Sequence, residues 1–488
     1  MAHQYAHREK QLDARSIPIE DKSEVQMPLV RRLGPSSNRL ESCALDNRPG
    51  IIDSHAVNTF ALVAVLMAIV AFAGWLNVKF LRLPHSVAML FAGSGGALLL
   101  LAAGIVFPSF ISISTITAII DSIDFTSTVT GYMLAFLLFA GAMQVDLKEM
   151  LRHWFSVSAL STLGVAGSIL VVGFGLWAVA AQIGVPLPLT WSLVFGALIA
   201  PTDPVAVLAT VHRVRLSKTL QVVLEGEALF NDGVGIVAFT ALLAVATGSG
   251  ALSPANAVSD VVVHAVGGLV LGLGASALVV RVMGTIDDFA VEVTLSIALA
   301  MGVYAAAEAL HLSGAIAAVG AGLLFGGERA KRAMRGVAEN YVRGFWRLVD
   351  QILNALLFLL LGVEMIVVSF TADEAPMLVA AVLLVLFARL AVVVPWGIYF
   401  RARESERGAT EILCWGGLHG ALSLALALSI PQGPERALIL SLTYAVVAFS
   451  VIVQGLTFTS LARHVQTLRA TASAKAAQPD GSNLRLSK

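Results

Sequence analysis

Residues 225–233 read EGEALFNDG, with Glu225, Glu227, Asn231 and Asp232 inside a stretch, 220–247, that is otherwise apolar. A carboxylate in apolar surroundings is costly unless a proton or cation compensates it. Carboxylate and amide oxygens also suit small hard cations. At 1.5 Å per residue, Asp232 lies about 21 Å along a helix that starts at Lys218. That is near the midplane of a hydrocarbon core ~30 Å thick, whereas Glu225 is only about 10 Å in. Facing lipid at the centre would cost roughly 3 kcal/mol per acid, so these groups should face protein or water. At about 100° per residue, Glu227 and Asn231 share a face, while Asp232 points roughly 140° away from Glu227. The two acids therefore need not serve one site.

Three further stretches bring polar groups to similar depth. In "LVFGALIAPTDPVAVLATV", Pro201 and Pro204 bracket Thr202 and Asp203. Proline removes a backbone donor and clashes with the preceding turn, so an unwound stretch is expected there. In "CWGGLHGALSLALALSI", Gly416, Gly417 and Gly420 permit a second break. In "MLVAAVLLVLFARLAVVVPWGIYF", Arg389 is the one mid-run charge. A lone arginine at that depth does not face lipid and pairs with Glu227 or with Asp232. The acid left over can take a proton or a small cation, with Thr202, Asp203, Asn231 and freed carbonyls completing a shell.

The elements that must position these groups are transmembrane helices. The chain of 488 residues is 57% hydrophobic and only 13% charged, about half the charge of an average soluble protein, and its mean hydropathy is +0.82. An all-α polytopic membrane protein follows. Thirteen apolar runs are long enough to be candidate spans: 56–77, 85–107, 127–146, 153–183, 188–212, 219–247, 257–281, 289–310, 312–327, 349–371, 376–400, 410–430 and 437–463. Basic residues follow the odd runs, as in "ERAKRAMRGVAENYVRGFWR" and "RARESER", and are absent after the even ones until Arg436. Cytoplasmic loops are the basic ones, so the N-terminus is expected outside and the C-terminus in the cytoplasm. The first span then runs inward and the eighth outward. Spans 1–6 and 8–13 would form two repeats of inverted topology, with the fifth and twelfth as matching broken helices, the best sequence pointer to a transport site. Ordinary proline kinking and a tight glycine packing face are the plainer account of either break.

Residues 1–55 are polar and aperiodic, which predicts a disordered tail. The first apolar run is span-length without a clear cleavage site, which argues against a removable leader. Residues 56–465 form the transmembrane domain and 466–488 a short cytoplasmic tail. Zero net charge gives no reason to expect a nucleic-acid partner. Cys43 and Cys414 supply no disulfide framework or metal motif. No zinc motif, nucleophile–base pair or nucleotide loop supports a membrane enzyme. A cation channel would need a continuous pore, and paired broken helices favour alternating access instead.

In order along the chain, "PTDPVAV", "EGEALFNDG", "LHLSGAIAAVGAGLLFG", "LNALLFLLLGVEM" and "WGGLHGALSLALALSIP" resemble the sodium/proton antiporters of the NhaP and eukaryotic NHE type over roughly 56–465. The resemblance implies thirteen spans, a homodimer, and a core domain that moves against a dimerisation domain. It implies no cofactor; monovalent cations and protons are the substrates. By the same resemblance Asp232 is the ion-binding aspartate, Asn231 its neighbouring asparagine, Thr202 and Asp203 the unwound part of the site, and Glu227 the acid paired with Arg389. Glu227 and Arg389 then cancel. Asp232 holds either one proton or one cation, which predicts 1:1 exchange insensitive to voltage. A titrating Asp203 would change that stoichiometry.

Three positions depart from the family pattern. Ala228 stands where many relatives have Ser, Ala140 where many have an acid, and His419 where Gly-Gly-Leu-Arg-Gly is usual. The first two remove oxygen ligands and leave sodium, lithium and potassium all open. His419 is either a pH-modulating group, since histidine ordinarily titrates near pH 6.5, or a neutral packing residue. Glu225 is read as a cytoplasmic funnel residue or a solvated helix-end charge. Glu364 is read as a supporting group behind the site or a membrane-interface charge. His264, His311, Asp287 and Asp288 fall near span ends and are read as solvated. The expectation is a monovalent cation/proton antiporter of a bacterial-type plasma membrane, serving pH and cation homeostasis.

Overall fold

The computed structural model describes residues 59–106, 133–203, 217–248, 254–334, 338–364, 374–403 and 408–477. The expected tail 1–55, and the part of 466–488 beyond Ala477, lie outside the described residues. Among the described residues every regular element is helical. A chain this apolar must satisfy its backbone within each segment once lipid replaces water, and helices do so.

In chain order the helices are α1 (Thr59–Leu76), α2 (His85–Val106), α3 (Leu134–Gln144), α4 (Leu147–Arg152), α5 (Trp154–Ile183) and α6 (Leu189–Ile199). Next come α7 (Lys218–Ala246), α8 (Pro254–Met283), α9 (Phe289–Ala309), α10 (Gly314–Gly326), α11 (Glu328–Ala333) and α12 (Ala338–Glu364). The last are α13 (Ala375–Arg403), α14 (Ala409–Gly416), α15 (Ala421–Leu428), α16 (Pro434–Phe449) and α17 (Gly455–Ala477). Ten described helical segments, α14 with α15 and α16 with α17 each counted as one, are long and apolar enough to cross a membrane. The apolar helices α3, α6 and α10 are shorter.

The short helices are sheltered rather than lipid-facing. Nearly every residue of α10 is buried, between α8 and α3. Its sequence GAIAAVGAGLLFG is small enough for backbones to approach; a Cβ at Gly322 would collide with the α3 backbone at Phe139.

The tenth run differs from expectation. Its helix begins at Ala338, not near 349, and is described as far as Glu364; the rest of the run, 365–371, lies outside the described residues. The basic stretch that follows the ninth run contains α11 and the first turns of α12. Ala338, Val342 and Trp346 recur at helical spacing and are buried, an amphipathic face that the surrounding charges conceal. Arg343 bonds Glu339 at 2.9 Å and the Gly326 carbonyl at 3.1 Å. α17 likewise continues through the start of the expected tail, to Ala477.

The helices pack in two sets. α2, α3, α8, α9, α10 and α12 pack chiefly on one another; α5, α6, α7, α13, α14, α15 and α16 do the same. The apolar seam between the sets includes Leu90, Phe358 and Leu361 from the first and Leu424 and Val447 from the second.

Candidate ion-binding site

The site begins where two helices stop. α6 ends at Ile199, and Pro201, Thr202 and Asp203 are non-helical. The continuation of that run, 204–216 with Pro204, lies outside the described residues. α14 ends at Gly416, residues 417–420 are non-helical, and α15 begins at Ala421.

Each break supplies what the other lacks. The Asp203 amide donates to the Leu418 carbonyl at 2.6 Å. His419 Nδ1 lies 3.2 Å from the Pro201 carbonyl; that oxygen only accepts, so Nδ1 carries the hydrogen. The His419 amide donates to Ser450 Oγ at 2.8 Å, and Ser450 Oγ donates to Gln454 Oε1 at 2.7 Å. Backbone groups freed by unwinding would otherwise be orphaned in an apolar interior. His419 is buried and joins the two breaks through its ring. Gly420 sits against the Asp203 carboxylate, and a Cβ there would collide with it. Gly420→Ala is therefore expected to push Asp203 out of place and reduce exchange at least tenfold, with the protein still folded; overlapping gel-filtration profiles and a lower dye-quenching rate in vesicles are the check. A wild-type rate would show that the close approach is unimportant.

α7 supplies the acids. Asn231 Nδ2 donates to Thr202 Oγ1 at 2.8 Å, and both residues are buried. Among the described residues Asn231 Oδ1 is buried without a hydrogen-bond partner, an acceptor that a cation or water would satisfy. Asp232 is the next residue, partly accessible, and close enough to Asp203 for their charges to interact. Thr202, Asp203, Asn231 and Asp232 are thus brought together. Ala228, on the same helix, and Ala140, on α3, are buried.

Glu227 and Arg389 are 2% and 8% exposed, so water compensates neither charge. Arg389 grips Glu227 through both nitrogens of its fork, Nη1 on Oε1 and Nη2 on Oε2, a bidentate geometry. Arg389 also donates to the Leu413 carbonyl, from Nε at 3.1 Å and Nη2 at 2.8 Å. Leu413 lies in the last turn of α14, where carbonyls lose their helical partners and carry partial negative charge. This second role of Arg389 was not anticipated, although a broken helix always leaves such acceptors.

The remaining candidates lie elsewhere. Glu225 accepts from Gln221 Nε2 at 2.9 Å and feels the charge of Asp146, which caps α4. Nearby and fully exposed, Glu328 is held below the usual carboxylate range by the hydrogen bond from Lys331. Glu364, in the last described turn of α12, lies near enough to Tyr444 of α16 for its charge to act on the phenol. Asp287, Asp288 and His311 are exposed and His264 half-buried; Asp288 caps α9 through the amides of Ala290 and Val291.

A family model described as "Sodium/hydrogen exchanger, transmembrane" matches residues 65–464. The chain is 36% identical over 409 residues to the Na(+)/H(+) antiporter NhaP of Pseudomonas aeruginosa, a match covering 83% of this chain and 96% of that protein. It is 32% identical over 406 residues to the Na(+)/H(+) antiporter NhaH of Halobacillus aidingensis, covering 82% and 95% respectively. Among solved structures, the sodium proton antiporter MjNhaP1 from Methanocaldococcus jannaschii at pH 8 superposes with a TM-score of 0.62 at 21% identity, over 83% of this chain and 98% of that one. At that identity the likeness speaks for the fold.

Proposed function

The chain belongs to the sodium/hydrogen exchanger family, and we propose that it exchanges a monovalent cation for protons across the plasma membrane by alternating access at Asp232. The observation that carries this reading is the contrast between two neighbouring acids. Glu227 is neutralised by Arg389. Asp232 has no cationic side chain among its described electrostatic partners and stands beside the crossing of two broken helices. A carboxylate in that setting is occupied by a proton or by a cation, and the two exclude each other. Thr202, Asp203 and the free Asn231 Oδ1 are the further oxygens for the cation. His419 acts as a tether between the breaks, and Glu225 with Asp146 draws cations to the cytoplasmic mouth.

The charge count supports electroneutral 1:1 exchange. The Glu227–Arg389 pair sums to zero, and Asp232 loaded with either substrate has the same net charge. The two inverted repeats, the homodimer, the division into 56–465 and its tails, and the N-out, C-in orientation belong to the same reading. Sodium is the first candidate cation from the named relatives. Alanine at 140 and 228 withholds two oxygen ligands and keeps lithium and potassium in the test.

Everted membrane vesicles, acidified inside and loaded with a pH-sensitive dye, check this directly. Adding sodium, lithium and potassium chloride in turn is expected to release the quench for at least one cation, at a rate unchanged when the membrane potential is collapsed. Silence with all three cations would overturn the proposed activity. A rate that tracks the potential would overturn only electroneutrality.

A further inference from the structure

α14 does more than present the Leu413 carbonyl. With α13 and α17 it encloses a groove of about 630 Å³, within the ~300–1,000 Å³ usual for ligand sites. All three walls belong to segments long and apolar enough to cross a membrane. Leu390 lines the groove and is 44% exposed. It lies about 20 Å before the end of α13 at Arg403, deep in a hydrocarbon core ~30 Å thick. The groove backs onto the ion pair: Leu390 follows Arg389, and Cys414 follows Leu413, whose carbonyl Arg389 holds.

The lining is apolar in one part and charged at one end. Leu390, Leu461 and the Trp415 ring make the apolar part. Trp415 Nε1 donates to Thr457 Oγ1 at 2.9 Å, so the indole offers the groove its ring and not its donor. The other end is fixed by two close approaches: Gly397 of α13 meets Thr410, and Gly408, just before α14, meets Val465 of α17. The end of α13, the start of α14 and residues 463–465 therefore share one level. Arg401 follows Leu390 by about three turns, so it continues the same face of α13 to that level. Arg401, Glu411, Arg463 and His464 are all exposed there. A hydrocarbon wall that ends in cations complements an anionic amphiphile. A peptide segment at this depth would bring backbone groups that need partners, and the Trp415 donor is already engaged.

We propose that this groove binds one anionic phospholipid of the surrounding bilayer, with an acyl chain along Leu390, Trp415 and Leu461 and the phosphate held by Arg401 and Arg463. The site is separate from the ion site and stands whether or not the exchange reaction does. Each arginine beside a lipid phosphate gives about a fivefold preference for anionic over zwitterionic lipid. Glu411, which also lines the groove, opposes them by a similar factor. Removing charge therefore has opposite effects at one level of the groove. Arg401→Gln lowers the preference for anionic lipid, and Glu411→Gln raises it. A loss of packing would not change sign with the charge removed.

Tryptophan emission reads occupancy, because Trp415 lines the groove and bromine on an acyl chain quenches an indole it touches. Full-length protein is reconstituted in phosphatidylcholine vesicles containing a small fraction of brominated phosphatidylglycerol or of brominated phosphatidylcholine. The difference between the parent and Trp415→Phe isolates the Trp415 signal. Brominated phosphatidylglycerol is expected to quench that signal at about a fivefold lower mole fraction, two arginines acting against one acid. Unbrominated phosphatidylglycerol should reverse the quench. Arg401→Gln with Arg463→Gln should abolish the preference, and Glu411→Gln should enlarge it. These variants keep every tryptophan, so total emission decides the matter even where Trp415→Phe fails to fold. Equal quenching by the two lipids would mean that bilayer chains pass the groove unselected. Quenching of Trp415 by neither would mean that protein covers it. A preference that survives loss of both arginines would place the phosphate elsewhere. Each of these results overturns the proposal. Vesicles silent with every cation would remove the exchanger reading and leave the lipid result standing.

Discussion

Asp232→Asn is expected to reduce cation-driven proton release in everted vesicles to the level of vesicles without the protein. The side chains differ by an amide in place of one oxygen, so packing beside Asn231 and Asp203 is conserved. What vanishes is the one charge that a proton and a cation can both neutralise. Losing a charge partner in a low-dielectric site removes several kcal/mol, enough to lower exchange by about a hundredfold or more. Removal of the Asp232 charge also relieves its repulsion with Asp203, so the variant should be at least as stable to heat as the parent. Exchange above a tenth of the parent rate, from protein present in equal amount, would contradict the role of Asp232. Loss of exchange with a lowered melting temperature would point to folding instead. Inactivity together with retained stability is the signature of a site residue, because a scaffold residue gives up both together.

Much of this arrangement is legible from the chain because proline and glycine act locally. Pro201 cannot donate and glycines 416, 417 and 420 do not resist unwinding, so the positions of both breaks follow from residue type. Acids within an apolar run are equally conspicuous. The partner of Arg389 is different in kind. Helical phase gives the angle between Glu227 and Asp232 but not the rotation of α7 against α13, so the residues alone leave both acids open and resemblance to a family was needed to choose. The Leu413 carbonyl as second acceptor for Arg389 depends on α14 stopping one turn later, which glycine permits without fixing the residue. The early start of α12 was hidden because Arg343, Arg347 and Glu339 surround the apolar face of Ala338, Val342 and Trp346. Tyr444 carries no sequence signal, since an aromatic near a span end is ordinary; its burial in the apolar cluster follows only from the fold.

The largest effect on stability is expected from Arg389→Met. It leaves the Glu227 carboxylate buried without a cation and the Leu413 carbonyl without its donors. Removing one partner of a buried ion pair costs about 3–5 kcal/mol, whereas replacing both by apolar or neutral groups is often close to neutral. Glu227→Gln should cost less, because Arg389 keeps its bonds to the Leu413 carbonyl and gains an amide oxygen. The double variant Glu227→Gln with Arg389→Met should then melt above Arg389→Met alone, although it carries one more substitution. Thermal unfolding of the three purified proteins in one detergent, followed by intrinsic fluorescence, decides it: losses that simply add would mean that the pair is not a unit. A second consequence follows from charge. Both single variants change the net charge of the loaded carrier by one unit, while the double variant restores it to its original value. Any exchange that survives in the double variant should therefore remain insensitive to membrane potential, while residual exchange in either single variant should acquire a dependence on it. Stability and voltage response thus test the same pair through independent properties, one reporting the cost of an unpaired buried charge and the other the charge carried with the ion.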